Sequence, residues 1–105
     1  MIIRKEIEGR YQEYIEMACA DKNLRNADKG MLVTLIGLKE DTRADALSLS
    51  SLLSETHPTV RKALVNLENA GYLHRRTRMT ADGRKYSDGN IELVFPEKKQ
   101  QEKEV

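Results

Sequence analysis

Between Thr56 and Lys85 lie twelve side chains of types suited to recognising a polyanion. Six stand close together: Thr56, His57, Thr59, Arg61, Lys62 and Asn66. Six more follow: His74, Arg75, Arg76, Arg78, Arg84 and Lys85. Guanidinium and ammonium groups neutralise phosphate oxygens, and Arg and Asn also pair with base edges. Blander readings stand beside this one. Arg61 and Lys62 would serve equally as solvated helix charge, and Arg75, Arg76 and Arg78 as charges that deter pairing at a sheet edge. His57 and His74 read as surface histidines.

Other chemistries find little support. Cys19 is the only cysteine and, with the two histidines, shows no metal-ligand spacing. A small buried apolar role is expected for it. Asp41 and Asp45 lie four apart in a connector and read as a surface pair. No nucleophile, base and acid stand in a catalytic arrangement, and no glycine-rich phosphate loop is present. The expectation is a protein that is not an enzyme, with no cofactor, no metal and no small-molecule ligand.

Charge distribution sharpens the first reading. The 105 residues carry a net charge of +1. Residues 1–55 hold 8 Lys and Arg against 10 acids, whereas residues 56–85 hold seven against two. Clustered positive charge inside a nearly neutral chain is an electrostatic footprint for a polyanion. No apolar run reaches eighteen residues, so no membrane partner is expected, and the N-terminus lacks the apolar core of a signal peptide. The expected location is cytoplasmic.

The elements that must carry these side chains follow from periodicity. Val60, Ala63, Leu64 and Leu67 form an i, i+3, i+4, i+7 stripe, which predicts a helix of about 57–70. Pro58 marks its start and Gly71 its stop. Thr59, Arg61, Lys62, Val65, Asn66 and Asn69 lie on the opposite face. A short helix precedes it, with Ser48 as N-cap and Leu49, Leu52 and Leu53 inward. An earlier helix spans 27–38, capped by Asn26, with Ala27, Met31, Leu35 and Leu38 in line and Leu32 and Ile36 widening the stripe. After Gly71, "YLHRRTRM" reads as a strand, "TADGRKYSDGN" as a long turn and "IELVF" as the returning strand. Leu73 should face the core, which puts Tyr72, His74, Arg76 and Arg78 on the other side. In the first twenty-five residues Ile3, Ile7, Tyr11, Tyr14 and Ala18 permit a helix, and Tyr14, Glu16 and Ala18 against Ile15, Met17 and Cys19 permit a strand. The favoured reading is a helix or arm to about Gly9, then an extended segment near 11–18. Residues 96–105 read as a polar, disordered tail.

The stretch "LSSLLSETHPTVRKALVNLENAGYL" resembles the recognition unit of MarR-type winged helices. Ser54 and Glu55 stand where that turn has Gly and an apolar residue. A longer resemblance runs from Tyr11 to about Phe95, through "ADKNLRNADKGMLVTL", "LKED", "VRKALVNLENAGYLHRR" and "DGRKYSDG". It is to small winged-helix proteins and replication-initiator N-terminal domains of bacterial mobile elements. The resemblance implies an α+β winged helix-turn-helix with three core helices, a C-terminal β-hairpin wing and an N-terminal extension over 1–20. It implies double-stranded DNA as partner, a role in transcription regulation or replication, and no catalytic residues. The helix would read the major groove and the wing 74–85 would hold the backbone or minor groove. The expected core is Leu32, Leu35, Ile36, Leu49, Leu52, Val60, Leu64, Leu67, Leu73 and Leu93. A homodimer is expected, paired through 1–20, whose apolar residues exceed what a short arm needs. The alternative is a winged helix that docks another protein without binding DNA.

Overall fold

A computed structural model describes residues 1–96. The chain runs through β1 (Ile2–Ile3), a 3-10 turn (Lys5–Ile7), α1 (Tyr11–Ala20), α2 (Asn26–Gly37), α3 (Ala46–Leu53), α4 (His57–Asn69), β2 (Leu73–Met79) and β3 (Lys85–Leu93). The described residues form an α+β arrangement with four helices and one sheet of order β1-β3-β2. β2 and β3 form an antiparallel hairpin, and β1 adds in parallel with Ile2 opposite Ile91.

α4 is the element the sequence specifies most fully. Thr56 takes the cap position and its hydroxyl accepts the Thr59 N–H at 3.3 Å, with Pro58 in the first turn. Val60, Ala63, Leu64 and Leu67 are at most 3% exposed. Gly71 has φ +93°, and the helix end carries both bonds of a left-handed stop. The Gly71 N–H donates to Glu68 O at 3.1 Å and the Tyr72 N–H to Leu67 O at 3.0 Å. The chain therefore leaves the helix straight into β2.

The turn from α3 to α4 makes a similar reversal without glycine. Ser54 adopts φ 55° and ψ 39°, and the Glu55 N–H donates to Ser50 O at 3.1 Å. A residue with a Cβ is strained in that region.

Several expectations are corrected. The segment expected to be extended near 11–18 is α1, because Tyr14 and Ala18, four apart, bury one helical face. The Tyr14 hydroxyl donates to Tyr72 O, and its ring stands edge-on to Tyr72 and Phe95 with centroids 5.8 and 5.3 Å away. α1 thus adds an N-terminal helix to the three helices expected after it. α2 begins one residue early, with Arg25 in the cap position and the Asp28 carboxylate accepting the Arg25 N–H at 2.9 Å. Its buried stripe is Asp28, Met31, Leu32 and Leu35, whereas Ala27 is exposed and Ile36 and Leu38 are half-buried. α3 is capped by Asp45, not Ser48. The stronger acceptor takes the Ser48 N–H at 2.8 Å and the Ser48 hydroxyl at 2.9 Å. Leu52 is 56% exposed and leaves the core, Cys19 is exposed, and Pro96 is buried rather than the start of a tail. The remaining tail residues lie outside those described. The expected long turn is short, since pairing begins at Met79 opposite Lys85.

Leu64→Ala should lower stability by about 2–5 kcal/mol, because the methyl groups removed leave a void under α4. Leu52→Ala should change it by less than about 0.5 kcal/mol. Ser54→Gly should raise it by up to about 1 kcal/mol by relieving the left-handed backbone. Urea titration of the three variants checks all of these.

Candidate polyanion-binding surface

Sheet register decides where the charges point. Arg75 pairs with Ile91 and Thr77 with Ser87. Two residues of β2 therefore advance against four of β3, and the surplus is taken up around Asp88, Gly89 and Asn90. Gly89 supplies the left-handed φ of +85° that this bulge requires. Its carbonyl accepts the Ala44 N–H at 2.9 Å, which ties the connector before α3 to the sheet. The Arg43 side chain packs over Gly89, where a Cβ would lie 3.0 Å from Arg43 Cγ. Below the bulge the sheet covers the core, and beyond it the hairpin tip projects free.

Alternation then divides the hairpin into two faces. Leu73, Arg75 and Thr77 face α4. Arg75 is held there by Glu68, whose Oε1 accepts from Arg75 Nη2 at 2.9 Å and Nε at 3.2 Å. The Arg75 N–H donates to Glu68 Oε2 at 3.1 Å. His74, Arg76 and Arg78 point the other way and are exposed. The grouping of these three on one face agrees with alternation. Tyr72, expected among them, is buried, and its hydroxyl donates to Asp21 at 3.1 Å. Burial and then the negative Asp21 push the Tyr72 phenol upward from its ordinary pKa.

The inward face and the start of α4 enclose a groove of about 560 Å³. His57 and Arg61 of α4, Lys85, Thr77 and Arg75 of the hairpin, and Arg43 of the connector line it. Asp45 sits at its wall, bonded to Arg43 Nε at 2.6 Å. Burial raises the Asp45 pKa, but the Ser48 N–H and hydroxyl and the Arg43 guanidinium outweigh it and hold the carboxyl below the usual range. The groove is cationic by composition, with one ionised carboxylate already engaged. Sequence reading missed Arg43 because it stood in a polar connector. A larger hollow of about 790 Å³ lies at the other end of α4, around Asp21, Lys22, Asn23 and Asn69. It has one cation beside one acid and no excess of positive charge.

The residues singled out from sequence separate by their bonds. Thr56, His57, Thr59, Arg61 and Lys62 are exposed at the start of α4. Thr56 and Thr59 hydrogen-bond to each other at 2.7 Å. Asn66 is not part of that surface. Its amide donates to both Asp28 oxygens at 3.3 Å, inside the seam between α2 and α4. Three hairpin arginines meet acids: Arg75 with Glu68, Arg78 with Asp88 at 3.6 Å, and Arg84 with Asp82 at 3.4 Å. Arg61, Lys62, Arg76 and Lys85 form no ion pair within 4.0 Å among the described residues. No group of three His, Cys, Asp or Glu among these residues could hold a metal ion. No helix among the described residues is long and apolar enough to cross a membrane. Comparison with known protein families, curated proteins and solved structures returns no match.

Asp28 is the one fully buried charged side chain among the described residues. Burial raises its pKa, but the Arg25 side chain and N–H, the Asn66 amide and the Arg25 charge outweigh it and hold the carboxyl below the usual range. A carboxyl depressed on folding contributes stability that is full above about pH 3.9 and lost as pH falls through its lower folded value. Asp28→Asn should therefore lower the melting temperature at pH 7 and weaken its fall below about pH 4. Thermal melts of both proteins across the acid range check this. An unchanged acid limb would mean that other carboxylates carry it.

Proposed function

We propose that this protein is a winged-helix module that binds double-stranded DNA, with α4 as the reading helix. The observation that carries the proposal is the unpaired charge at the start of α4 and in the groove beside it. Arg61, Lys62 and Lys85 have no acidic partner among the described residues, whereas Asp45, Glu68 and Asp82 are already engaged. The α3–α4 turn and the projecting hairpin support the winged-helix reading. In it, Thr59 and Arg61 meet base edges, and Lys62 and Lys85 meet phosphates. The resemblance to proteins of mobile elements fits a small regulator or replication accessory. Two chains on two half-sites would double these few contacts. In the 1–20 segment expected to pair, Ile2, Ile7, Tyr14 and Ala18 are buried in their own chain, and Met1 and Tyr11 are the large apolar side chains left exposed.

The test is a salt titration on a genomic site selected by the purified protein and on a scrambled duplex. Lys62→Ala and Lys85→Ala should weaken both duplexes alike and flatten the log–log salt slope by roughly 0.9 for each lost phosphate contact. Arg61→Ala should cost about 1–3 kcal/mol on the selected site and little more than a phosphate contact on the scrambled one. An absence of salt-sensitive duplex binding in the wild type would overturn the proposal. Leu47 and Leu52, 66% and 56% exposed on α3, would then favour a protein-docking module.

A further inference from the structure

The outward face of the hairpin turns away from the groove described above except at Tyr86, which also lines the groove's edge. His74, Arg76 and Arg78 occupy three successive outward positions of β2, about 6.8 Å apart along the strand. Directly across from Arg78 stands Tyr86, 47% exposed. Arg76 has no acidic partner among the described residues, and the Arg78–Asp88 contact is long, at 3.6 Å, with Arg78 69% exposed. The face thus combines cations with an imidazole and an exposed phenol ring on a short stretch of strand. The bulge at Asp88–Asn90 marks its lower edge, and His74 and Glu92 lie below it.

We infer that this outward face binds single-stranded nucleic acid. Arg76 and Arg78 would take the backbone, and Tyr86 would stack on an unpaired base. Asp88 and Glu92 stand beside this face, so it is the unpaired Arg76 and the loosely held Arg78, not an excess of charge, that offer an anion its contacts. The aromatic side chain decides which anion. A duplex keeps its base faces stacked inside, so an exposed phenol gains little from it. A single strand offers π-faces to any ring beside a cationic track, without needing base-edge hydrogen bonds. Asp88 holds Arg78 over the strand in the free protein and yields it to a phosphate, a charge-assisted exchange. Arg76 and Arg78 lie outside the groove beside α4, and Tyr86 is the one side chain of this site that also lines it.

The probe is a fluorescein-labelled oligothymidylate about a dozen nucleotides long, within single-strand site sizes, followed by anisotropy at low salt. The wild-type protein should bind it with strong salt dependence. Tyr86→Ala should weaken binding about tenfold, as loss of one stacked base requires, while Tyr86→Phe should retain it. The double variant Arg76→Ala, Arg78→Ala should weaken it further and flatten the salt slope. Arg61→Ala should leave it unchanged. All these side chains are exposed, and circular dichroism confirms that each variant is folded. Three results would overturn the assignment: no binding of the oligothymidylate, equal loss with Tyr86→Phe and Tyr86→Ala, or loss with Arg61→Ala. Arginine variants that weaken a mixed-sequence duplex as much as the single strand would instead assign the face to duplex backbone. Failure of duplex binding alone, with single-strand binding kept, would sink the reading of α4 and leave this one standing.

Discussion

The stripe of Val60, Ala63, Leu64 and Leu67 lies buried beneath α4, and the direction of the charges on α4 and the hairpin follows from that seating. A helix with one apolar face has one rotational setting against its core, so Thr59, Arg61 and Lys62 are left outside. The Gly71 stop then removes freedom at the exit. Because its two backbone bonds lead directly into Leu73, the hairpin leaves at a fixed angle from the helix. Glu68 reinforces that angle by holding both the backbone and the guanidinium of Arg75. A helix face and a strand face thereby become two walls of one groove.

Asp28 shows how a buried charge is accommodated in so small a core. Arg25 meets it from the cap of its own helix, and Asn66 reaches it from α4. No buried side-chain nitrogen or oxygen among the described residues lacks a partner. A buried carboxylate is a poor source of net stability even when fully satisfied, because its desolvation is large. What this cluster supplies is geometry, since only one relative setting of α2 and α4 brings the amide to the carboxylate. The same chemistry withdraws Asn66 from the outer surface.

Ion pairing sorts the basic residues into two kinds. Arg75, Arg78 and Arg84 meet Glu68, Asp88 and Asp82, while Arg61, Lys62, Arg76 and Lys85 have no such partner within the described residues. Of the pairs, only Arg75 with Glu68 is substantially shielded, its two side chains 23% and 33% exposed. The others are open to solvent and contribute little to stability. They restrain side chains near a surface rather than hold the fold together.

Local sequence determined what depends on short range. The stripe of α4, the Pro58 start, the Gly71 stop and the alternation that groups His74, Arg76 and Arg78 were all legible. Each rests on a helical or strand period, or on a backbone conformation that one residue type favours. Tertiary structure decided the rest. The 11–18 segment carried both periods, and only the burial of Ala18 and of Tyr14, whose ring meets Tyr72 and Phe95, selected a helix. Ser48 and Asn26 were plausible caps, yet Asp45 and Asp28 captured the free N–H groups because a carboxylate is the stronger acceptor. Leu52 fitted the apolar pattern of α3 but stays more than half exposed, since a short helix buries less of its surface than its composition allows. Whether Asn66 faces outward or inward, and whether an arginine is free or paired, depends on residues 38, 7 or 10 positions away. Periodicity sees the element a residue belongs to, and only the folded chain supplies its partner.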